Sequence, residues 1–175
     1  RTAACPRVVH ISTEAVLADG SALTNVDETR PRPEPENALP RYPRSKNRAE
    51  ALVLAWNGKG IETVVVRPRF IWGKDDTSLL PQIVAKCRAG EFAWIDGGHF
   101  QTSTCHVDNV VEGTLLAAEK GQPGHVYFLC DDGGPVEFRT FLTQMLATQG
   151  VDPGTKSAPR WLAWSAAVVA EGAWN

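Results

Sequence analysis

The chain has 175 residues, of which 43% are hydrophobic and 22% are charged, as in one globular domain or a large part of one. A net charge of -2 gives no general attraction to nucleic acid, so we expect no nucleic-acid partner. The four cysteines are far apart and form no CxxC pair, which disfavours a disulfide framework and predicts a reducing, cytoplasmic location. The longest apolar tract, residues 161–170, reaches about half the length that spans a bilayer.

The first 73 residues predict a strand, a helix and a second strand. "RVVHIST" (7–13) is rich in β-branched residues and predicts a buried strand. Residues 27–40 contain four of the twelve prolines and predict a surface loop. Pro43 suits the first turn of the helix that follows, and "IETVVVRP" (61–68) predicts the second strand. The apolar positions repeat at helical spacing and predict the buried stripe Ala49, Leu52, Val53 and Trp56.

The rest of the chain predicts mixed elements. "LLPQIVAKCRAG" predicts a helix, "EFAWID" a short strand and "QTSTCHV" another strand. Three further elements are predicted: a helix capped by Asp108 and closed by Gly121, a buried strand at 125–130, and a helix from Pro135 to Gly150. Strands that alternate with helices predict an α/β fold with a parallel sheet.

A hydroxyl, a phenol and an ammonium group are expected to lie together where the first strand ends. Ser12 and Thr13 end that strand, and Tyr42 and Lys46 lie one turn apart at the start of the next helix. Ligands of a parallel sheet bind beyond the carboxyl ends of its strands. A lysine ammonium beside a tyrosine lowers the phenol pKa, so the tyrosine can exchange a proton with an alcohol or ketone. A hydride would have to come from a nicotinamide cofactor.

Four ordered motifs give the chain a resemblance to a known superfamily. "VVHISTEAV", "YPRSK", "VVVRPRFIWG" and "CHVDNVVEGTLLA" resemble the extended short-chain dehydrogenases/reductases, and "YPRSKNRAEALVLAWNGKG" is most similar to the 3β-hydroxysteroid dehydrogenase/isomerase branch. The resemblance implies the C-terminal part of a Rossmann-type parallel sheet with a smaller, mixed substrate domain. It also implies NAD or NADP as cofactor.

The resemblance assigns roles to individual positions. It implies that Thr13 supplies the catalytic hydroxyl, that Tyr42 is the general acid/base, and that Lys46 supports Tyr42 and bonds the nicotinamide ribose. Ser12, Tyr42 and Lys46 are expected to contact the cofactor, as is the backbone at Pro68 and Arg69.

The domain organisation expected from the resemblance has two parts. Residues 1–73 form the catalytic half of the NAD(P)-binding domain, and residues 74–175 form mostly the substrate domain, with strand 125–130 returning to the main sheet. No GxGxxG motif occurs, the chain begins at Arg1 and its single methionine is Met145. We therefore expect a fragment that lacks the pyrophosphate-binding half and is inactive alone.

Two departures from related families bear on the substrate. Sugar-nucleotide dehydratases carry Thr-Asp-Glu after this strand, whereas this chain has Thr13-Glu14-Ala15. Sugar-nucleotide epimerases carry polar groups where Leu17 and Phe70 stand. The sequence therefore predicts an oxidoreductase that interconverts a secondary alcohol and a ketone on a hydrophobic, steroid-like small molecule.

Alternatives remain open at this point. Other functions are a sugar-nucleotide epimerase or a non-catalytic NAD(P)-binding regulatory relative, and a homodimer is possible. Ser12 and Thr13 can also simply cap a strand end. Cys105 and His106 have no second ligand at metal-binding spacing, so we expect a structural role and no metal.

Overall fold

A computed structural model describes residues 6–34 and 41–162 of the chain. The apolar tract 161–170 and the proline-rich loop 27–40 therefore lie partly outside the described residues. The helices are α1 (Arg41–Ala55), α2 (Leu80–Arg88), α3 (Val107–Lys120) and α4 (Phe138–Ala147). The strands are β1 (Arg7–Ile11), β2 (Glu62–Pro68), β3 (Phe70–Trp72), β4 (Trp94–Ile95), β5 (Gln101–Thr102), β6 (Thr104–His106), β7 (Val126–Leu129), β8 (Val136–Glu137) and β9 (Ser157–Ala158).

The central sheet has the order β1-β2-β7, and both pairings are parallel. β2 lies in the middle, and its six residues after Glu62 are all buried, as expected for a central strand covered on both faces. The register joins Ile11 to Val66 and Pro68 to Leu129. The carboxyl ends of all three strands therefore meet at one edge of the sheet.

Helix α3 covers the apolar face of this sheet. Val64, Val66 and Ala117 form its buried centre, with partly buried neighbours from β1 and β7. The helix ends at Gly121, as predicted. A Cβ on Gly121 would lie 2.4 Å from the Ala117 carbonyl oxygen, so only glycine permits this close approach. The N-cap is His106, not Asp108 as the sequence predicted, because the His106 ring accepts the Asp108 amide.

Helix α1 packs against β2 through a polar face, which corrects the predicted apolar stripe. Leu52 is 64% exposed and Trp56 is 58% exposed, whereas Asn47 and Glu50 are buried. Asn47 donates to the carbonyls of the preceding loop, and Glu50 binds Arg67 of β2. The prediction failed because helical spacing identifies apolar positions but does not reveal that the facing strand carries a buried arginine.

Two compact units divide the chain. The first contains residues up to Gly73 together with Thr104–Asp132, and the second contains Lys74–Ser103 and the residues from Gly133 onward. β7, from the predicted returning strand 125–130, belongs to the first unit and pairs with β2. The expected division into cofactor-binding and substrate-binding domains remains a prediction.

The second unit has its own core. Val84, Trp94, Leu142 and Leu146 bury their side chains between α2 and α4. Helix α2 and strand β4 are those that the sequence predicted. The helix predicted from Pro135 begins only at Phe138, because Val136 and Glu137 pair with β5 as strand β8. Two short pairings, β4 with β9 and β5 with β8, complete the unit. Within the described residues, no helix combines the length and apolar character needed to cross a membrane.

Candidate active site

The end of β1 brings Ser12 and Thr13 to the carboxyl edge of the sheet. The Ser12 amide donates to the Val66 carbonyl at 2.8 Å, which continues the β1–β2 pairing by one residue. Thr13 caps the short 3-10 helix Glu14–Leu17, and its hydroxyl accepts the Ala15 amide at 3.3 Å. Thr13 therefore caps the helix that follows it, whereas the sequence analysis considered a cap of the strand end. A threonine hydroxyl has further hydrogen-bonding capacity, so the cap does not prevent a contact with a ligand.

Helix α1 presents Tyr42 and Lys46 near the same edge. The Lys46 Nζ donates to the Ile11 carbonyl at 2.7 Å, which fixes the lysine at the last residue of β1. Tyr42 lies one turn earlier and is 59% exposed. The structure thus brings Lys46 to the strand end that precedes Ser12 and Thr13, as the sequence predicted for a shared site. The roles of these residues remain predictions.

The segment after β2 is fixed by an ion pair. The Arg69 guanidinium lies 2.5 Å from the Glu14 carboxylate and stacks over the Phe128 ring, 5.5 Å from its centroid. The Arg69 amide donates to the Leu129 carbonyl at 3.0 Å. Burial raises the pKa of Glu14, and the charge and hydrogen bond of Arg69 offset part of that rise. Pro68 and Arg69 therefore lie close to the residue that follows Thr13.

The buried carboxylate of Glu50 lies between helix α1 and the carboxyl ends of β1 and β2. Glu50 is fully buried and contacts Arg67, Ser12 and Arg32. Burial by itself would raise the pKa of Glu50, but hydrogen bonds from Arg67 and Ser12 outweigh burial and the pKa is lowered. Glu50 is therefore ionised and fully engaged at neutral pH.

The pKa of His10, on β1, depends on its burial and on the charges of Lys46 and Glu50. Burial lowers the pKa of His10, the Lys46 charge lowers it further, and the Glu50 charge raises it. His10 is therefore neutral at pH 7, and its buried Nε2 has no hydrogen-bond partner in the described residues. The edge of the sheet thus combines Lys46 with a neutral histidine and a paired carboxylate.

Sequence reasoning missed Glu50 and Arg67. Both positions carried a usable signal: Arg67 interrupts an apolar strand, and Glu50 lies four residues after Lys46. Two opposite charges on adjoining buried-type elements predict a pair, because a lone charge is rarely buried.

Cys105 and His106 have structural roles. Burial raises the pKa of the Cys105 thiol to about 11, so the thiol is inert at neutral pH. His106 caps α3 and packs edge-on against Trp72. Asp131 connects this region by accepting hydrogen bonds from Trp72, Thr104, Asn109 and the His106 amide. No group of potential metal ligands occurs in the part of the chain that the structure describes.

This combination of a parallel sheet, a Ser-Thr strand end and a Tyr-Lys helix matches a known family. The model of the 3-beta hydroxysteroid dehydrogenase/isomerase family matches residues 1–160. The chain belongs to this family. The resemblance that the four motifs predicted is therefore confirmed.

Two curated relatives carry informative names. The 4-hydroxy-2-methyl-3-oxo-4-farnesyl-3,4-dihydroquinoline-1-oxide ketoreductase of Stigmatella aurantiaca is 55% identical over the whole chain, which covers 52% of that relative. The sterol-4-alpha-carboxylate 3-dehydrogenase, decarboxylating, of Dictyostelium discoideum is 34% identical over 81% of the chain and 43% of the relative. The chain spans about half the length of the curated relatives it matches.

Solved structures share the fold. The crystal structure of gox2253 has a TM-score of 0.73 at 26% identity, with 95% of this chain and 50% of that chain covered. A dTDP-glucose 4,6-dehydratase from Bacillus anthracis, in complex with NAD, has a TM-score of 0.67 at 18% identity, with 87% and 49% covered. The predicted α/β fold of Rossmann type is confirmed.

Proposed function

We propose that this chain carries the proton-transfer half of an NAD(P)-dependent oxidoreductase that interconverts a ketone and a secondary alcohol on a hydrophobic ring system. The observation that supports the proposal most is the bond from Lys46 Nζ to the Ile11 carbonyl. It holds the Lys46-bearing turn of α1 beside the Ser12-Thr13 strand end, and in our proposal Tyr42, Lys46 and Thr13 act there on one reacting oxygen.

Tyr42 is the proton donor and acceptor in this proposal. An ordinary tyrosine has a pKa near 10 and is a poor base at pH 7. In the proposal, the Lys46 ammonium and the N-terminal end of α1 stabilise the negative charge that develops on the Tyr42 oxygen during proton transfer. The Thr13 hydroxyl donates a hydrogen bond to the substrate oxygen and orients it toward Tyr42.

We assign the nicotinamide end of the dinucleotide to this edge of the sheet. Glu14 and Glu50 are both paired with arginines, so neither presents an uncompensated negative charge there. Tyr42 and Lys46 would hold the ribose hydroxyls, and the backbone at Pro68 and Arg69 would face the nicotinamide amide. When bound, the nicotinamide supplies or accepts the hydride, which no side chain can do.

Two apolar residues, Leu17 and Phe70, and the names of two relatives support a hydrophobic substrate. Leu17 is fully buried and Phe70 is half-buried, at positions where a sugar-binding relative would need polar groups. The Stigmatella relative is named as a reductase of a farnesylated ring ketone, and the Dictyostelium relative as a sterol dehydrogenase. We therefore propose a fused-ring or prenylated ring ketone as substrate.

The test uses a full-length protein, meaning one of the relatives' length that contains this chain. A 3-oxosteroid, a prenylated 3-oxodihydroquinoline and a UDP-sugar are each incubated with NADH or NADPH. A fall in absorbance at 340 nm with a ring ketone, together with the matching alcohol, supports the proposal. Epimerised UDP-sugar without a net absorbance change would instead identify an epimerase.

A further inference from the structure

We propose that Glu50 is a positioning residue: its buried carboxylate locks the strand ends that carry Thr13 and Arg69 onto the helix that carries Tyr42 and Lys46. This inference rests on the proposed function, because the residues that Glu50 positions are those assigned to proton transfer and cofactor contact.

Glu50 lies on the same face of α1 as the residues proposed for proton transfer. Glu50 follows Lys46 by four residues and Tyr42 by eight, so the three side chains lie along one face of the helix. Tyr42 is exposed at one end of this face, whereas Glu50 is fully buried against β2. The helix face that would carry the chemistry is therefore anchored at its inner end by a charge.

Glu50 binds residues at the ends of both β1 and β2. Oε1 accepts from the Arg67 Nη2 at 2.6 Å, and Oε2 accepts from the Arg67 Nε at 3.1 Å. Oε2 also accepts from the Ser12 hydroxyl at 2.6 Å. Ser12 directly precedes Thr13, and Arg67 lies two residues before Arg69. One carboxylate thus determines the position of both strand ends relative to α1.

The charges explain why this anchor is ionic. Arg67 is nearly as buried as Glu50, and each would be a costly lone charge without the other. The paired nitrogens of a guanidinium bind both carboxylate oxygens in one plane, which fixes direction as well as distance. Apolar packing between α1 and β2 would hold the elements together with less control of the angle between them.

Every charged or titratable group that faces Glu50 in the described residues is cationic or can become so. Arg67 comes from β2, Arg32 from the preceding loop and His10 from β1, and Lys46 lies on α1 itself. Removing the Glu50 charge therefore makes the surroundings of Lys46 more positive. A more positive environment favours loss of a proton from the group that transfers it, so the activity midpoint should move to lower pH.

Three variants of the full-length protein separate geometry from charge. Glu50→Gln removes the charge but keeps the length, and Glu50→Asp keeps the charge but shortens the side chain. The double variant Glu50→Gln with Arg67→Gln removes both charges, so no lone buried charge is left to prevent folding. Glu62→Gln is the matched control, because Glu62 pairs with Arg7 at the opposite end of the same strands.

All variants are compared by melting temperature, cofactor dissociation constant, and kcat and KM as functions of pH. We expect kcat to fall by about tenfold or more in all three Glu50 variants, because small displacements of reacting groups have large effects on rate. KM for the ketone is expected to change by less than about threefold. The activity midpoint should shift to lower pH only in Glu50→Gln, and Glu62→Gln should behave as the wild type.

A wild-type kcat in any correctly folded Glu50 variant overturns the inference, and so does a midpoint that moves equally in all three. Recovery of wild-type kcat in the double variant would show that Glu50 serves stability alone. The proposed function fails separately, if Tyr42→Phe keeps full activity. Loss of activity in Tyr42→Phe, with full activity in the Glu50 variants, overturns only the role of Glu50.

Discussion

At the scale of single residues, Tyr42 is the most exposed part of the proposed chemistry. Its side chain contributes little to the core, so its replacement by phenylalanine should leave stability almost unchanged. We expect Tyr42→Phe in the full-length protein to lower kcat by about a hundredfold or more, the usual effect of removing a general acid/base. Cofactor affinity, measured by NADH fluorescence titration, should fall less than in Lys46→Met, because Lys46 still holds the ribose hydroxyls.

Tyr127→Phe is the matched control, since Tyr127 is the other of the two tyrosines. Its hydroxyl accepts the Gln122 amide, so the change affects a local turn and leaves the proposed chemistry intact. Near-normal turnover in Tyr42→Phe would make Tyr42 an ordinary surface residue.

Lys46 has two predicted effects, one on the proton and one on the cofactor. Lys46→Met removes the cation that favours the phenolate, so activity should appear only at higher pH than in the wild type. Cofactor binding should weaken as well, because the ribose loses a donor. A pH-rate profile combined with a cofactor titration measures both effects.

Lys59→Met is the comparison for Lys46→Met. Lys59 lies beyond the end of α1 over the Trp56 ring and has no predicted role at the edge of the sheet. If Lys46→Met matched Lys59→Met in both pH profile and cofactor affinity, the assignment of Lys46 would be wrong.

The sequence predicted some site residues and missed others for a physical reason. Tyr42 and Lys46 are four residues apart on one helix, so their proximity is encoded locally. Glu50 and Arg67 are 17 positions apart in the sequence and meet only because α1 packs on β2 in a particular register. Charged residues are usually exposed, so a sequence pattern alone favours placing Glu50 and Arg67 on the surface.

At the scale of elements, the strands of the central sheet were predicted from runs of β-branched and aromatic residues. β1, β2 and β7 contain such runs, for example Val64-Val65-Val66 in β2, and form the central sheet. β8 and β9 have two residues each and carry no periodic signal of their own. They form because β5 and β4 offer partners far away in sequence, for example Trp94 opposite Ser157. Strands of this kind follow from tertiary structure and are not local properties.

The turn before helix α2 allows a direct test of a capping interaction by Asp76, which lies three residues before the N-cap residue Leu79. The Asp76 carboxylate accepts the amides of Ser78, Leu79 and Leu80 at 2.7, 3.2 and 2.9 Å. Asp76→Ala should lower the free energy of unfolding by about 1 kcal/mol, the usual effect of losing a cap. Asp76→Asn keeps an acceptor and should cost only a few tenths, on the order of a weak hydrogen bond.

The pH dependence of this effect has a definite sign. Burial would raise the pKa of Asp76, but the amide hydrogen bonds dominate and lower it from 3.8 to about 2. The stabilisation is therefore complete above pH 3.8 and disappears as the pH falls toward 2. Denaturant unfolding of wild type and Asp76→Ala should give curves that converge at the acidic end. A constant difference down to about pH 2 would contradict the cap.

At the scale of the whole molecule, the two outer strands of the central sheet differ in what contacts their outer edges. On β7 the Phe128 amide donates to the Glu28 carboxylate at 2.8 Å, so a side chain from the loop before α1 occupies that edge. On β1 the described residues provide no second strand beside the one formed by β2. An edge of apolar residues without a partner favours association between chains.

This asymmetry leads to a prediction about the 175-residue chain on its own. A dinucleotide crevice has a Gly-rich turn and a helix N-terminus for the pyrophosphate, and a Tyr-Lys helix for the ribose. The chain carries the Tyr-Lys helix and contains no GxGxxG motif. We therefore expect the isolated chain to show no detectable NADH binding in a calorimetric titration and no dehydrogenase activity. We also expect it to self-associate in light scattering, because no strand among the described residues pairs with the outer edge of β1.

A full-length protein serves as the positive control in the same titration, and it should bind NADH and remain a defined species. Fusing the chain to the part of the 55% identical Stigmatella ketoreductase that it does not match should supply the other part of the crevice. Binding should then appear in the fusion and disappear again with Lys46→Met. Micromolar NADH binding by a monodisperse, cooperatively unfolding 175-residue chain would contradict this prediction, because the Tyr-Lys helix and the strand ends would then suffice for the cofactor.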